Sequence, residues 1–200
     1  MSTKSYVIGC MLAAALAVPA LGADPAQNTP KMTPEQEKMM AAYMKAAAPG
    51  PEHARLARMV GTWDMQVTSY DGPTPHTDAG TAVFTIGLGG RVLTQNVKSS
   101  MAGMPYEGSG SEGFDNVSKK YWSVWTDSMS TGPLMSWGTC DAAGACAYEG
   151  TSNDPMTGKA MTSRMTLKPQ GADKQVFDFF GPGPDGKEVK MMEIVYTRKK

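Results

Sequence analysis

The sequence predicts an all-β, antiparallel fold, and three observations lead to this prediction. After Gly61, apolar and polar residues alternate with a period of two, which is typical of strands that bury one face. Turn-forming residues, among them 22 Gly and 14 Pro in the chain, interrupt the alternation at short intervals. No helical pattern separates any two of these segments, so a βαβ arrangement is excluded and neighbouring strands run antiparallel. The strands then form a sandwich or a closed up-and-down barrel, and periodicity alone does not decide between them.

The composition fits a single exported domain. The 200 residues carry 19 basic and 19 acidic side chains, a balance that leaves no basic surface for nucleic acid. Residues 1–22 are predicted to be a secretory signal peptide, because Lys4 precedes an apolar run that ends in small residues at Gly22. That run is shorter than a membrane span of roughly 20 residues. We therefore expect a periplasmic or secreted protein with no integral membrane segment after cleavage.

Residues 23–50 are predicted to form a flexible leader followed by an amphipathic helix. Thr33 can cap this helix, with Pro34 at its first position and Gln36 completing a capping box. Its apolar stripe consists of Met39, Met40, Tyr43 and Met44. Because Pro49-Gly50-Pro51 separates this stripe from the rest of the chain, we expect it to pack on the outside of the domain or on a protein partner.

Residues 51–200 are predicted to form the β domain. A second helical turn over 52–59 leads into Gly61, and Gly, Pro, Asn or Asp marks nearly every junction that follows. The alternation predicts strands near residues 62–70, 80–88, 90–99, 105–114, 119–126, 133–140, 145–152, 159–168, 174–180 and 187–198. No internal repeat is evident, so one domain is the economical interpretation.

Two cysteines remain once the signal peptide is removed. Cys140 and Cys146 flank a loop with turn chemistry, and opposed cysteines at the base of a hairpin meet disulfide geometry. Export places them in an oxidising compartment, which favours a disulfide over the alternative of two reduced thiols. A redox-active pair is disfavoured because the spacing is not Cys-x-x-Cys.

The first and last predicted strands resemble the calycin superfamily of lipocalin-like barrels. The resemblance rests on Gly61-Thr62-Trp63 and on Arg198 near the end of the chain. In that superfamily such an arginine packs over the tryptophan at the closed end of the barrel. The resemblance therefore implies that Gly61, Trp63 and Arg198 close the barrel, with the guanidinium stacked on the indole face.

A longer set of residues resembles a bacterial family known as domain of unknown function 1579. The matching segments are His53, Leu56, Val60-Gly61-Thr62-Trp63, Leu88-Gly89-Gly90-Arg91, Gly113-Phe114-Asp115, Lys119-Lys120-Tyr121, Trp125, Asp127-Ser128-Met129 and Tyr196-Thr197-Arg198. This resemblance covers most of residues 53–198. It implies a lipocalin-like barrel and no settled activity, and it says nothing about residues 23–50. Together with the strands and the helix predicted above, it gives an antiparallel lipocalin-like up-and-down barrel of about ten strands with an N-terminal helical extension.

If Trp63 and Arg198 both point inward, alternation assigns the other inward positions. Met65 and Val67 then share the face of Trp63, while Met192, Ile194 and Tyr196 share that of Arg198. The middle strands offer the pairs Tyr121 and Trp125, Met135 and Trp137, Met161 and Met165, and Phe177 and Phe179. The candidate ligand-binding residues are Tyr121, Trp125, Met135, Trp137, Met165, Phe177 and Met192. The alternative is that these side chains only fill a core.

No catalytic, metal or cofactor site is predicted. The chain has only His53 and His76, neither on a late strand where related barrels ligate haem, and no spacing suggests a zinc site. The 17 methionines are scattered, so packing explains them better than Cu(I) binding. Ser109 and Ser111 imitate a nucleophile elbow only loosely, because no helix follows. Whether the protein is an enzyme stays open, although the sequence leans against it.

Two acidic residues lie at the ends of predicted strands, and each allows two interpretations. Asp115 and Asp127 could bond backbone amides in turns, which is the ordinary role of such residues. Alternatively, they could orient a ligand at the mouth of the barrel. The turn role is favoured.

Two functional hypotheses follow. The first is an exported barrel that binds a small apolar or amphipathic ligand inside it, without catalysis. The second is an envelope structural or interaction protein with a filled barrel, whose helix docks on a protein partner through Met39, Met40, Tyr43 and Met44.

Overall fold

Ten antiparallel strands form a closed barrel. The computed structural model describes residues 31–183 and 185–200, so the predicted signal peptide and most of the leader lie outside the described residues. Each strand pairs with its neighbours in sequence, and the first pairs with the last. The strands are β1 Gly61–Ser69, β2 His76–Gly87, β3 Val92–Met101, β4 Met104–Asp115, β5 Lys120–Asp127, β6 Leu134–Cys140, β7 Cys146–Asn153, β8 Ala160–Pro169, β9 Lys174–Pro182 and β10 Glu188–Arg198. The predicted fold class is confirmed.

The start of β2 is the main departure from the predicted strands. The strand begins at His76 rather than near residue 80, because residues 76–79 pair with the end of β1. His76 lies opposite Ser69, and Asp78 lies opposite Val67. These residues lack apolar alternation, so hydropathy gives no sign that the backbone continues as a strand.

Two helices precede the barrel. Helix α1 spans Pro34–Ala47 and has the predicted capping box, with Thr33 and Gln36 bonding each other's backbone amides. It buries no residue, and Met39, Met40, Tyr43 and Met44 are between 48% and 67% exposed. Helix α2 spans Pro51–Ala57 and buries His53 and Leu56. Within the described part of the chain, neither helix has the length and apolarity needed to cross a membrane.

The barrel has two unlike ends. At the capped end, β1 begins and β10 ends, α2 packs against the strands, and the β2–β3, β4–β5, β6–β7 and β8–β9 connections turn. At the other end, which we call the mouth, the remaining five hairpins turn. Side chains that alternate inward from the capped end form a continuous core that includes Trp63, Met65, Phe84, Leu93, Val97 and Tyr196.

The predicted disulfide is present between Cys140 and Cys146, which lie opposite each other where β6 and β7 meet at the capped end. Closing so short a loop removes little chain entropy, so replacing both cysteines with serine should lower the free energy of unfolding by about 2 kcal/mol. Urea unfolding with and without a reducing agent measures this. The reductant should shift the midpoint of the wild type and leave that of the double variant unchanged; equal midpoints for all samples would contradict the prediction.

Candidate functional site in the barrel interior

Trp63 and Arg198 close one end of the barrel. They lie opposite each other in the β1–β10 register, and the Arg198 guanidinium stacks 4.2 Å from the centroid of the indole. Trp63 is fully buried, and its Nε1 donates to the Met59 carbonyl at 2.8 Å. Arg198 donates from Nη1 to the Val60 carbonyl at 2.7 Å and from Nη2 to that of Arg58 at 2.6 Å. The predicted closure is therefore present. Gly61 lies next to it at the start of β1, with a φ of +129° that favours glycine.

Helix α2 extends this cap across the opening. His53 is 5% exposed, accepts a hydrogen bond from the Gly50 amide at Nδ1, and packs edge-on against Phe114 at 5.8 Å. Phe114 in turn packs against Tyr121, at 4.9 Å between ring centroids. Arg55 anchors the far side of the helix by donating to the Asp141 carbonyl at 2.7 Å. Solvent therefore reaches the barrel interior from the mouth rather than from this end.

The structure corrects one pair of predicted interior residues. Met135 and Trp137 lie on the outer face of β6, 50% and 46% exposed, whereas Ser136 and Gly138 point inward and are buried. The bulky residues face outward because the interior at this point is filled from β7: a Cβ on Gly138 would lie 2.6 Å from the Tyr148 ring. The prediction assumed that the more apolar of the two faces of a strand always points inward, and on β6 this assumption is wrong.

The remaining candidate residues do face the interior. Tyr121 and Met165 are buried, at 3% and 5% exposure, while Trp125, Phe177 and Met192 are partly buried against the core. Their register places Tyr121 and Met165 in the capped half or middle, and Trp125 and Met192 toward the mouth. Their role in ligand binding stays a prediction.

The interior also contains a buried acid that sequence reasoning missed. Glu112 follows Gly108 and Gly110 on the inward face of β4 and accepts a very short hydrogen bond from the Tyr148 hydroxyl. Burial raises the pKa of Glu112, and the bond from Tyr148 partly opposes this increase. A second polar pair lies nearby, where Gln95 Nε2 donates to the Tyr196 hydroxyl at 3.1 Å. Burial raises the pKa of Tyr196 to about 12. The interior is thus more polar than the apolar lining that the sequence predicts.

The raised pKa of Glu112 has a consequence for stability. The protonated Glu112 carboxyl stabilises the folded state, and this stabilisation is fully present below the pKa of the unfolded state, near 4.5. It is lost as the pH rises through the higher pKa that the carboxyl has in the folded state. Glu112→Gln removes this loss, so its stability relative to the wild type should increase from pH 4.5 upward. Urea unfolding across this range measures the difference. Glu107→Gln, at an exposed position of β4, is the control, and parallel curves for wild type and Glu112→Gln would contradict the prediction.

Near the mouth, Asp127 holds two aromatic side chains. Its Oδ2 accepts from Trp125 Nε1 at 3.0 Å and from the Tyr106 hydroxyl at 3.1 Å, while its Oδ1 accepts from the Met129 amide. Asp127 thus fills the favoured turn role and also a position in the mouth. Asp115 has the turn role alone, since it accepts from the amides of Val117 and Ser118.

The indole of Trp125 lies over a pair of interior glycines. A Cβ on Gly108 would lie 2.2 Å from Trp125 Cζ2, and one on Gly110 would lie 2.9 Å from its Cε3. These glycines allow the ring to lie flat against β4, where any larger residue would push it across the interior. The position of Trp125 therefore controls how much space remains between β4 and the opposite wall.

Packing inside the barrel is uneven along its axis. Near the capped end, the inward side chains of Trp63, Phe84, Leu93 and Tyr121 are at most 5% exposed. Toward the mouth, the inward residues are only partly buried; they are Val67, Tyr106, Trp125, Leu134, Phe179 and Met192. Inward residues next to the capped-end turns, among them Ile86, Phe114 and Leu167, are also only partly buried. The two ends therefore differ in what covers them: α2 and the Trp63–Arg198 pair lie over the capped end, and no described helix packs over the mouth.

A groove also lies on the outside of the barrel. Its volume is about 540 Å³, and its floor is formed by Trp122, Val124, Met135 and Trp137. The end of α1 borders it at Ala46 and Ala47, held there by hydrogen bonds from Asn116 and Arg91. The floor carries no charged side chain.

A family profile described as "Protein of unknown function (DUF1579)" matches residues 48–198. The chain belongs to the DUF1579 family. This confirms the family that residues 53–198 resemble. A search among curated proteins finds no match to this DUF1579 chain.

Two solved structures share the fold of this DUF1579 protein. Rv2717c from M. tuberculosis is 16% identical with a TM-score of 0.59, and the alignment covers 76% of the DUF1579 chain and 100% of Rv2717c. The S-type phycobiliprotein lyase CPES from Guillardia theta is 11% identical with a TM-score of 0.54, covering 76% and 99% of the two chains. At these identities the similarity shows a calycin-like barrel fold and nothing about activity.

Proposed function

We propose that this protein is exported and binds a small apolar or amphipathic molecule in the mouth half of its barrel, without catalysis. The observation that carries the proposal is that one end of the barrel is capped and the other is not covered by either described helix. Apolar side chains that face inward near the mouth stay partly accessible, whereas the opposite end is closed by Trp63, Arg198 and α2. Such a site has one opening, an apolar wall and a few polar groups at defined positions, as small-molecule sites in barrels have.

Two tryptophans allow a test with a matched control. Trp125 faces the interior at the mouth, and Trp137 is 46% exposed on the outer face. A neutral brominated long-chain alcohol, which quenches an indole only at contact distance, should quench the fluorescence of the wild type and of Trp137→Phe. In Trp125→Phe, most of this quenching should be lost. No saturable quenching, or equal quenching in both variants, would contradict binding inside the barrel.

Export is supported by the Lys4-to-Gly22 sequence pattern and by the Cys140–Cys146 disulfide, which is typical of oxidising compartments. Expression of the full chain in a Gram-negative host tests it. The periplasmic fraction should contain a protein whose N-terminal residue, by mass spectrometry, is Ala23. A cytoplasmic, uncleaved protein would contradict export.

A second candidate function is association through α1, with a second copy of this chain as the partner. The four apolar side chains of α1 are exposed, and the outer groove, with its apolar floor and with Arg91 and Asp115 at its border, lies beside the C-terminal end of α1. At about 200 Å² for each fully exposed side chain of this size, they present roughly 450 Å². Two helices in two grooves would bury roughly 1,100 Å² in total, which is the size of a small, weak interface.

Light scattering after size-exclusion chromatography of the protein that contains α1 tests this association. The wild type should be a dimer, and serine at Met39, Met40, Tyr43 and Met44 should make it a monomer. Serine at Met129 and Met156, which are exposed at loop positions away from α1, is the control. A monomeric wild type would contradict the dimer.

A further inference from the structure

Three carboxyl groups face the barrel interior between the cap and the mouth, with His76 beside one of them, Asp78, and Arg55 of the cap near Tyr148. Among the described residues, Glu112 lies deep on β4, while Asp127 and Asp78 lie at the mouth on β5 and β2. Arg198 is at the cap, and its guanidinium donates to two backbone carbonyls and to Asp173. The space that a ligand would occupy is therefore bordered mainly by carboxyl groups.

Glu112 has capacity for a further hydrogen bond. Among residues 31–183 and 185–200, its only hydrogen-bond partner is the Tyr148 hydroxyl, which donates to Oε1. A carboxylate accepts up to about four hydrogen bonds, so Oε2 is left for another donor. Tyr148 is itself fixed, because its ring lies over Gly138. The acid is thus held in position while one of its oxygens has no described partner.

A second, independent observation comes from the row of inward positions that the strand register joins to Glu112, which runs through Ser136 and Gly150 to Ser163. Ser163 is 1% exposed on the inward face of β8, opposite Gly150, and its Oγ has no hydrogen-bond partner among the described residues. The inward side chain of Ser136, 4% exposed, lies beside Gly150. Buried hydroxyls are nearly always satisfied in folded proteins, so an unpartnered one facing a binding space indicates a polar guest.

We propose that the barrel takes an amphipathic amine, whose N–H groups bind Glu112 Oε2 and whose apolar part lies against Trp125 and Met192. This inference rests on the proposed function and specifies its ligand class. A ligand with a terminal carboxylate would place a like charge beside Glu112, and Arg55 at the cap already donates to the Asp141 carbonyl. An ammonium group, in contrast, neutralises the acid and supplies hydrogen-bond donors. The carboxyl groups at the mouth also attract a positively charged ligand.

Competition among three ligands of equal chain length tests the proposal. Dodecylamine, dodecanol and dodecanoate, each below its critical micelle concentration, compete with the neutral probe for the wild type, for Glu112→Gln and for Glu107→Gln. We expect dodecylamine to bind the wild type at least ten-fold more tightly than dodecanoate. Glu112→Gln should abolish this preference, and Glu107→Gln, on the outer face of the same strand, should retain it.

A second measurement needs no variant. Binding of dodecylamine to the wild type should strengthen as the pH rises through the ionisation of Glu112, while binding of dodecanol should stay constant. If the three ligands compete equally and Glu112→Gln changes nothing, the amine preference is overturned and binding inside the barrel stands. If neither the probe nor any competitor binds, the proposed function fails as well.

Discussion

Replacing Trp63 with alanine should lower the free energy of unfolding by about 3–5 kcal/mol, the range typical of a fully buried aromatic residue. The substitution empties the space under Arg198 and leaves the Met59 carbonyl without the donor that it has at 2.8 Å. Urea unfolding followed by far-ultraviolet circular dichroism measures this, since the signal does not depend on the indole. We expect the variant to be the least stable of the single substitutions considered.

Trp137→Ala is the matched control for this experiment. It removes an indole of the same size from the outer face of β6, where 46% of the residue is already exposed. Its effect should be clearly smaller, about 1–2 kcal/mol, because about half of the side chain is already in solvent and no hydrogen bond from the indole to a described residue is lost. Equal destabilisation by the two substitutions would mean that Trp63 has no special role in closing the barrel.

Gly138→Ala should lower the free energy of unfolding by about 3 kcal/mol, although it adds a single methyl group. A Cβ at this position would lie 2.3 Å from the Ala147 carbonyl oxygen, so the backbone of β7 must shift, and 2.6 Å from the Tyr148 ring. Moving Tyr148 also disturbs its bond to Glu112. We therefore expect both lower stability and weaker probe binding.

Gly72→Ala provides the comparison, since the nearest atom to its added Cβ is 3.9 Å away, in the β1–β2 turn. This variant should unfold within about 0.5 kcal/mol of the wild type. If Gly138→Ala behaved like Gly72→Ala, the tight packing of Tyr148 against β6 would be contradicted.

Features encoded locally could be predicted from the sequence. Turn residues delimit the strands, the Thr33 capping box sets the start of α1, and the two cysteines flank a turn, so each needs only a few neighbouring residues. The closure by Trp63 and Arg198 joins distant residues, and its prediction came from the resemblance to calycins. Periodicity alone left both a sandwich and a barrel open.

The alternation within single strands does not reveal the polar interior, because the interior depends on which strands lie side by side. Phe114 on β4 lies opposite Tyr121 on β5, so both side chains face inward. Glu112 is two residues before Phe114 on the same strand and therefore faces inward as well. Applying the predicted inward face of Tyr121 across that turn would have placed Phe114, and then Glu112, inside. The outward face of Met135 and Trp137 has the same origin: Tyr148 on the next strand fills the space, and only small residues fit beneath it.

The first and last strands of the barrel meet at the capped end, and so do both helices. Every covalent connection to residues before Gly61 or after Arg198 therefore leaves from the side opposite the opening. An affinity tag or surface linkage after Lys200 would orient the opening away from its support. The five hairpin loops around that opening form a separate region that can be exchanged or lengthened without disturbing the tryptophan–arginine closure.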